Sequence, residues 1–565
     1  MKDLYQSQKL RWLLWLSFGF AWFFMLGNRS LVPTDEGRYA EMAREMLASG
    51  DWITPRLNDI KYFEKPPLQA WMNTLSFALF GLGDWQARLW TGVSGFLGIV
   101  FTGLAAHRVF GARQGFYAAL ILISSFWWTA LGHINTLDMG LSGMMTISLA
   151  ALLIAQRDQA DAKERRNWML ICWAAMALAV LSKGLIGLVL PGAVLVLYTF
   201  IAGDWKIWTR LHLGKGLLLF FAISAPWFIL VGERNPEFYH FFFIHEHFQR
   251  FLTKIHERYG PWYYFIPLLI LGIIPWLGIV AQSMWSGTRP LASNSAPETF
   301  KPRLLLIIWA CFIFFFFSYS SSKLPSYILP IFPALAMLLA AFLPTANRLQ
   351  LHLAAAFLLV PALFALPFVA GVADMAGFPQ EAAGYAYFVP WIFAACAVAI
   401  IGGALAHWFA HKTARDHVVL SIAISGFVLA QLLILGSDQI GRDRAGMKII
   451  PTMAANLKPE MKLYAVGLYE QCIPFYLRRT MVLVEHKDEL AFGLQQQPEL
   501  WIPKREDFVK VWVNGPPAMA LVRPQMLEQL KQAGVPFHIL TEDARRIVLL
   551  NRAPQTPAPS TSNTL

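Results

Sequence analysis

Long apolar runs separated by short polar segments occupy most of the chain from residue 11 to residue 436. A helix crossing a bilayer needs about 20 mostly apolar residues. Runs of that kind fall near 11–27, 86–106, 114–131, 139–155, 167–181, 185–202, 213–232, 262–282, 303–320, 327–343, 351–372, 388–410 and 417–436. The pattern predicts a polytopic α-helical membrane protein with about thirteen transmembrane helices. The first run follows a basic start and lacks the small-residue cleavage pattern of a signal peptide, so it reads as a retained span. After residue 440 the pattern changes. Short stretches at 462–466, 480–484, 510–513 and 546–550 have strand character, and 524–533 reads as a helix stopped by Gly534. The expected organisation is a membrane domain over 1–440, a small α/β domain over 441–552 and a disordered tail over 553–565.

Polar segments between the runs set the expected orientation. With the N-terminus inside, the inner connections carry Arg108, Arg113, Arg157, Lys163, Arg165, Arg166, Lys206, Arg210, Arg289, Lys301, Arg348, Lys412 and Arg415. The short outer connections carry only Lys183 and Lys323, in accord with the positive-inside rule. An odd number of spans then puts the C-terminal domain outside. Two outer segments, 28–85 and 233–261, are long and rich in charged and aromatic residues, and they share one face.

Composition narrows the class further. The chain is 56% hydrophobic and only 15% charged, against about 25% charged in a typical soluble domain. Its net charge of +12 suits membrane orientation and anionic lipids, and no nucleic-acid-binding motif accompanies it. There is no Walker or dinucleotide motif, which argues against ATP-driven transport. Three of the four cysteines, Cys172, Cys311 and Cys396, lie in apolar runs, and Cys472 stands alone in the tail, so no disulfide framework is expected.

Candidate chemistry gathers in the outer segments. The stretch 33–67 reads PTDEGRYAEMAREMLASGDWITPRLNDIKYFEKPP. Asp35 and Glu36 follow Thr34, a cap-like residue, and open a helical run with Met42, Met46 and Leu47 on one face. At a helix N-terminus the dipole favours the ionised form of Asp35. Asp138 begins a later span from the same face. Carboxylates paired there suit acid/base work, a metal or a cationic substrate group. Arg38, Lys65, Arg250 and Lys323, with Tyr39, Tyr62 and Tyr327, form a set that would bind a phosphate at the membrane surface. His240, His245, His247 and His256 lie close together in sequence, with Glu64 a plausible partner in a metal site. Residues two apart do not share a helix face, so at most one of His245 and His247 would point to a site with Glu64.

TDEGRYAEMAREM after the first span, YFEKPPLQAW at the end of the same segment and GHINTLDMG opening a later span resemble the large integral-membrane (GT-C) glycosyltransferases. The similarity is greatest to the bacterial 4-amino-4-deoxy-L-arabinose lipid A transferases, which are related to protein O-mannosyltransferases. The resemblance covers roughly residues 1–440. It implies that Asp35, with Glu36, is the leading catalytic carboxylate and that Asp138 is the second acidic position. It implies that Lys65, Arg38 and Arg250 hold the phosphate of a polyprenyl-phosphate sugar, and that Glu64 and His245 would be the ligands if the enzyme holds zinc. No nucleotide cofactor is implied. The implied donor is undecaprenyl phosphate carrying an aminopentose, the implied acceptor a lipid A phosphate, and the implied site the periplasmic face of the bacterial inner membrane. A monomer is expected.

An anionic phosphate acceptor needs little help from a base, so Asp35 would orient the acceptor or hold the sugar ammonium. A protein Ser or Thr acceptor, as in a mannosyltransferase-like enzyme, would instead need Asp35 as a base. A lipid-linked sugar transporter would place its polar groups mid-membrane on broken helices. The charges here gather in outer segments, which favours an enzyme.

Overall fold

The computed structural model describes residues 4–249, 260–289 and 299–553. Arg250 and His256 lie outside them, as do all but the first residue of the expected tail. Among the described residues nine helices are long and apolar enough to cross a membrane, or up to eleven if two bent pairs each count as one span. The expected thirteen is therefore not reached, for local reasons. The run at 114–131 is two helices, Ala112–Ser124 and Phe126–Gly132, bent by 65°. The run at 262–282 divides into Phe265–Ile273 and Leu277–Thr288, bent by 104°. Ile186–Ala202 has only 17 residues. Ala162–Lys183 opens on Lys163, Glu164, Arg165 and Arg166, which dilute its apolar character.

Leu137–Gln156 is the central helix, and every one of its residues is buried. Its small residues let neighbouring backbones approach closely. At Gly143 a Cβ would lie 2.5 Å from the Ser94 carbonyl oxygen. Asp138 sits in the first turn of this helix. Lys183 ends a neighbouring helix, and Ser326 and Tyr327 begin the segment Pro325–Ile331. All of these lie at one end of the bundle.

The segment 28–85 folds over that end. Asp35–Ser49 is a juxtamembrane helix with Asp35 and Glu36 in its first turn, where the helix dipole favours acids. Thr34 precedes it but makes no side-chain capping bond. Gly50, with φ of 71°, ends it in the left-handed region that glycine enters freely. A hairpin of β1 (Arg56–Leu57) and β2 (Ile60–Lys61) follows.

The C-terminal domain contains β3 (Lys462–Val466), β4 (Val482–Val484), β5 (Trp501–Ile502), β6 (Ala518–Val522), β7 (His538–Glu542) and β8 (Ile547–Leu550) in one sheet. Their order is β5-β4-β3-β6-β8-β7. The pairs β3–β4, β3–β6 and β4–β5 are parallel, while β8 runs antiparallel to β6 and β7. One expectation is corrected: 510–513 lies in the helix Arg505–Asn514, not in a strand. Phe508 and Trp512, four apart, are buried against Tyr464 on the sheet, a helical spacing that overrides the β-branched valines. The domain is fastened to the hairpin by a reciprocal amide pair. Asn58 Nδ2 donates to the Met481 carbonyl at 2.7 Å, and Met481 N–H donates to Asn58 Oδ1 at 2.7 Å.

Candidate functional site

A cavity of about 360 Å³ lies where the bundle end, the juxtamembrane helix and the C-terminal domain meet. Of the residues expected at a site, Asp35, Arg38, Tyr39, Glu64, Lys65, Asp138, His245 and Tyr327 line it. The sequence reading missed Lys183, Glu246 and, from the C-terminal domain, Asp488, Glu489 and Phe492.

Three ion-paired groups furnish the walls. On the juxtamembrane helix, Arg38 Nη1 meets Asp35 Oδ1 at 2.7 Å and Arg38 Nη2 meets Glu489 Oε2 at 2.6 Å. Burial opposes the charge on Arg38, but Tyr62, Glu489 and Asp35 around it more than compensate and keep it cationic. Burial pushes the Glu489 carboxyl up, and Arg38 pulls it back. Burial also raises the phenols of Tyr39 and Tyr62 well above their ordinary value. In the second group, Lys65 Nζ lies 3.2 Å from Glu246 Oε2 and 3.8 Å from Glu64 Oε2. In the third, Lys183 pairs with Asp138, whose other oxygen accepts from Ser326 Oγ at 2.9 Å. The Lys183 ammonium stands 4.5 Å from the centre of the Tyr327 ring.

A second, more apolar cleft of about 150 Å³ opens beside the first. It shares Glu64, Lys65, Asp138, Lys183, Glu246 and Tyr327 with the cavity, and Leu141, Ile186, Phe316, Phe317 and Pro330 wall it among the helices. The charged groups therefore stand at the junction of a polar chamber and an apolar cleft. That layout suits a ligand with an anionic head and a hydrocarbon tail.

Three expected site residues lie elsewhere. Glu36 does not face the cavity. It is buried between Arg88, at 2.6 Å, and Arg29, at 3.0 Å, and it accepts the backbone N–H groups of Val32 and Asn135 at 2.9 and 2.8 Å. Burial alone would raise its pKa, but the two guanidinium groups outweigh that and lower it to about 2. Successive helix positions point about 100° apart, so Asp35 and Glu36 cannot both face one cavity. Glu36 instead ties the DE pair to the HINTLD segment through Asn135. Lys323 turns its ammonium onto the carbonyls of Ser318, at 2.6 Å, and Ser320, at 2.9 Å, closing the end of the helix Pro302–Tyr319. Tyr62 stands behind the cavity wall, with its hydroxyl 3.4 Å from Glu489 Oε2.

The residues do not fit the expected zinc. Glu64 and His245 line one cavity, but Glu246 between them is engaged by Lys65 and by His245 Nδ1, at 3.4 Å. Among the described residues no three His, Cys, Asp or Glu side chains converge as metal ligands.

A signal for Lys183 was present in the sequence, as one of two cations in otherwise bare outer connections. Glu489 and Phe492 had none. They reach the cavity only because the C-terminal domain packs there, with Phe492 stacked on Phe241 at a centroid distance of 3.8 Å.

Comparison with known proteins agrees with this architecture. Residues 449–551 match the aminoarabinose transferase C-terminal domain family, and residues 64–230 match the dolichyl-phosphate-mannose-protein mannosyltransferase family. An undecaprenyl phosphate-alpha-4-amino-4-deoxy-L-arabinose arabinosyl transferase of Proteus mirabilis is 35% identical over 333 residues, which are 58% of this chain and 58% of that protein. The alignment thus spans less than two thirds of such curated relatives. The crystal structure of ArnT from Cupriavidus metallidurans bound to undecaprenyl phosphate superposes with a TM-score of 0.91 at 40% identity, covering 97% of this chain and 99% of that one. An oligosaccharyltransferase of Archaeoglobus fulgidus, 13% identical with a TM-score of 0.52 over 92% of this chain and 68% of its own, shares the fold. With 40% identity sustained over nearly the whole of both chains, this protein belongs to the ArnT family.

Proposed function

We propose that the protein transfers 4-amino-4-deoxy-L-arabinose from undecaprenyl phosphate to a phosphate of lipid A. The observation that carries this reading is the junction of the charged cavity with the apolar cleft across a shared rim of Lys65, Asp138, Lys183 and Tyr327. A polyprenyl tail fits the cleft, and its phosphate would then lie among the cations of the rim. The name of the Proteus mirabilis relative and the undecaprenyl phosphate bound by the Cupriavidus metallidurans protein support the same donor.

The chemistry follows from charge. A phosphate monoester acceptor, with a second pKa of about 6, is already an anionic nucleophile at neutral pH. Its oxygen attacks the anomeric carbon from the face opposite the donor phosphate. The new C–O bond forms as the bond to undecaprenyl phosphate breaks, and configuration inverts. The difficult charge is the one left on the departing phosphate. Lys65, Lys183 and Arg38, held in place by their carboxylate partners, would stabilise it as it develops. Arg250, from the same outer segment, would join them. Asp35 would hold the sugar ammonium or orient the acceptor. The residues give no set of ligands for zinc, so no step uses one.

The proposed setting is the bacterial inner membrane, with the site and the C-terminal domain on the periplasmic side. The basic residues at the opposite end of the bundle, Arg108, Arg157, Arg165 and Arg166 among them, support that orientation. The described cavity walls all come from one chain, which supports action as a monomer. Capping a lipid A phosphate with an ammonium group lowers the surface charge that attracts cationic peptides.

Mass spectrometry of lipid A tests the reading, in cells that make the donor and carry or lack this gene. The expected result is an added aminopentose on a lipid A phosphate that disappears in Asp35→Ala. Unchanged lipid A in donor-making cells would reject this acceptor.

A further inference from the structure

The C-terminal domain does more than cover the cavity, because one of its side chains reaches the proposed catalytic carboxylate through a single intermediary. Gln471 Nε2 donates to Glu489 Oε1 at 2.7 Å. Glu489 Oε2 receives Arg38 Nη2 at 2.6 Å and the Tyr62 hydroxyl at 3.4 Å. The other terminal nitrogen of Arg38, Nη1, donates to Asp35 Oδ1 at 2.7 Å.

Burial falls steeply along this chain. The side chains of Glu489 and Arg38 are 13% and 11% exposed, whereas that of Asp35 is 43% exposed. Asp35 is thus the member open to a substrate, and the two behind it are enclosed. A guanidinium readily takes a carboxylate with two nitrogens at once. Glu489 holds Nη2, so Arg38 approaches Asp35 through Nη1. A half-exposed carboxylate three residues from its partner on one helix has rotamers to spare. Its position is set by where the guanidinium is pinned, and Glu489 pins it.

We infer that Glu489 is a positioning residue for glycosyl transfer, holding Arg38 so that Asp35 presents its carboxylate to the cavity. The inference rests on the transfer reading above. It makes the C-terminal domain a contributor to the reaction. It also separates the roles of the cations: Lys65 and Lys183 face the cleft that would hold the donor, while Arg38 serves Asp35.

The test is steady-state transfer by the purified full-length protein, with undecaprenyl-phosphate aminopentose as donor and lipid A as acceptor. Wild type is measured first, so failure of the transfer reading itself is seen separately. Glu489→Gln keeps the size and the hydrogen bonds but removes the charge that pins Arg38. The expected result is a kcat about 10- to 100-fold lower, with the donor KM within about threefold and the melting temperature near that of wild type. Gln471→Leu leaves the Arg38–Glu489 pair intact but loosens it from behind, and a smaller loss in kcat alone is expected. This second variant decides the matter if Glu489→Gln does not fold. Wild-type kcat in a folded variant, or a loss confined to donor KM, would overturn the inference.

Discussion

At the scale of single residues, the ion pairs divide into those that face a substrate space and those that hold the fold. Lys65 and Lys183 belong to the first kind, since both stand on the rim shared by cavity and cleft. Removing a preorganised donor aimed at developing charge costs about 10²–10³ in rate. Lys65→Ala and Lys183→Ala should each lose transfer by that order while remaining folded, as measured by turnover and by thermal unfolding in detergent. Asp35→Ala should do the same. Glu36 belongs to the second kind. Replacing it by Gln leaves Arg29 and Arg88 buried without their counter-charge, a change that costs about 3–5 kcal/mol. The pH dependence has a definite sign. Burial favours the neutral acid, but Arg29 and Arg88 overcome it and hold the folded value at about 2, against about 4.3 in an unfolded chain. The resulting stabilisation, about 3 kcal/mol, is fully present above pH 5 and disappears as pH falls from there toward 2. Thermal unfolding should therefore move to lower temperature across that window in wild type, and much less in Glu36→Gln. An equal slope in both would reject the assignment.

At the scale of elements, the juxtamembrane helix Asp35–Ser49 is the part on which the site is assembled. One face carries Asp35, Arg38 and Tyr39 to the cavity. Another carries Glu36 into the bundle, and a third meets the helix Cys472–Leu477 of the C-terminal domain. Gly37 makes that third contact possible, because a Cβ there would lie 2.6 Å from the Cys472 nitrogen and 2.8 Å from the Gln471 carbonyl carbon. Both are backbone atoms and have little room to yield. Gly37→Ala should cost about 1–3 kcal/mol through overpacking. Protease should then release the C-terminal domain sooner than in wild type. Unchanged proteolysis would show that the contact adapts. The amphipathic character of this helix was legible in the sequence: Met42 and Met46 are buried as expected, while Leu47 is more than a third exposed. The division of labour between Asp35 and Glu36 was not legible, because adjacency in sequence says nothing about which of two neighbouring directions meets the cavity.

At the scale of the whole molecule, the outer segments and the C-terminal domain occupy one end of the bundle and the arginine-rich connections the other. The proposed orientation predicts that a reporter enzyme active only outside the cytoplasm works when fused after residue 553 and fails when fused after residue 158. The reverse pattern would invert the proposed topology. Hydrophobic period and charge bias alone determined that the chain is a many-spanning helical membrane protein with a terminal α/β domain. They also identified the two charged segments that carry Asp35, Lys65 and Asp138. These are local signals, because a membrane span must satisfy its backbone within itself and therefore declares itself in a single stretch of sequence. Tertiary structure alone decided that Glu36 and Lys323 turn away from the cavity, and that runs such as 262–282 are sharply bent. It also decided that Lys183 and Glu489, 306 positions apart in sequence, share one cavity. The reason is that the direction of a side chain, and the partner it finds, depend on how separate elements pack, and no short stretch of sequence records that.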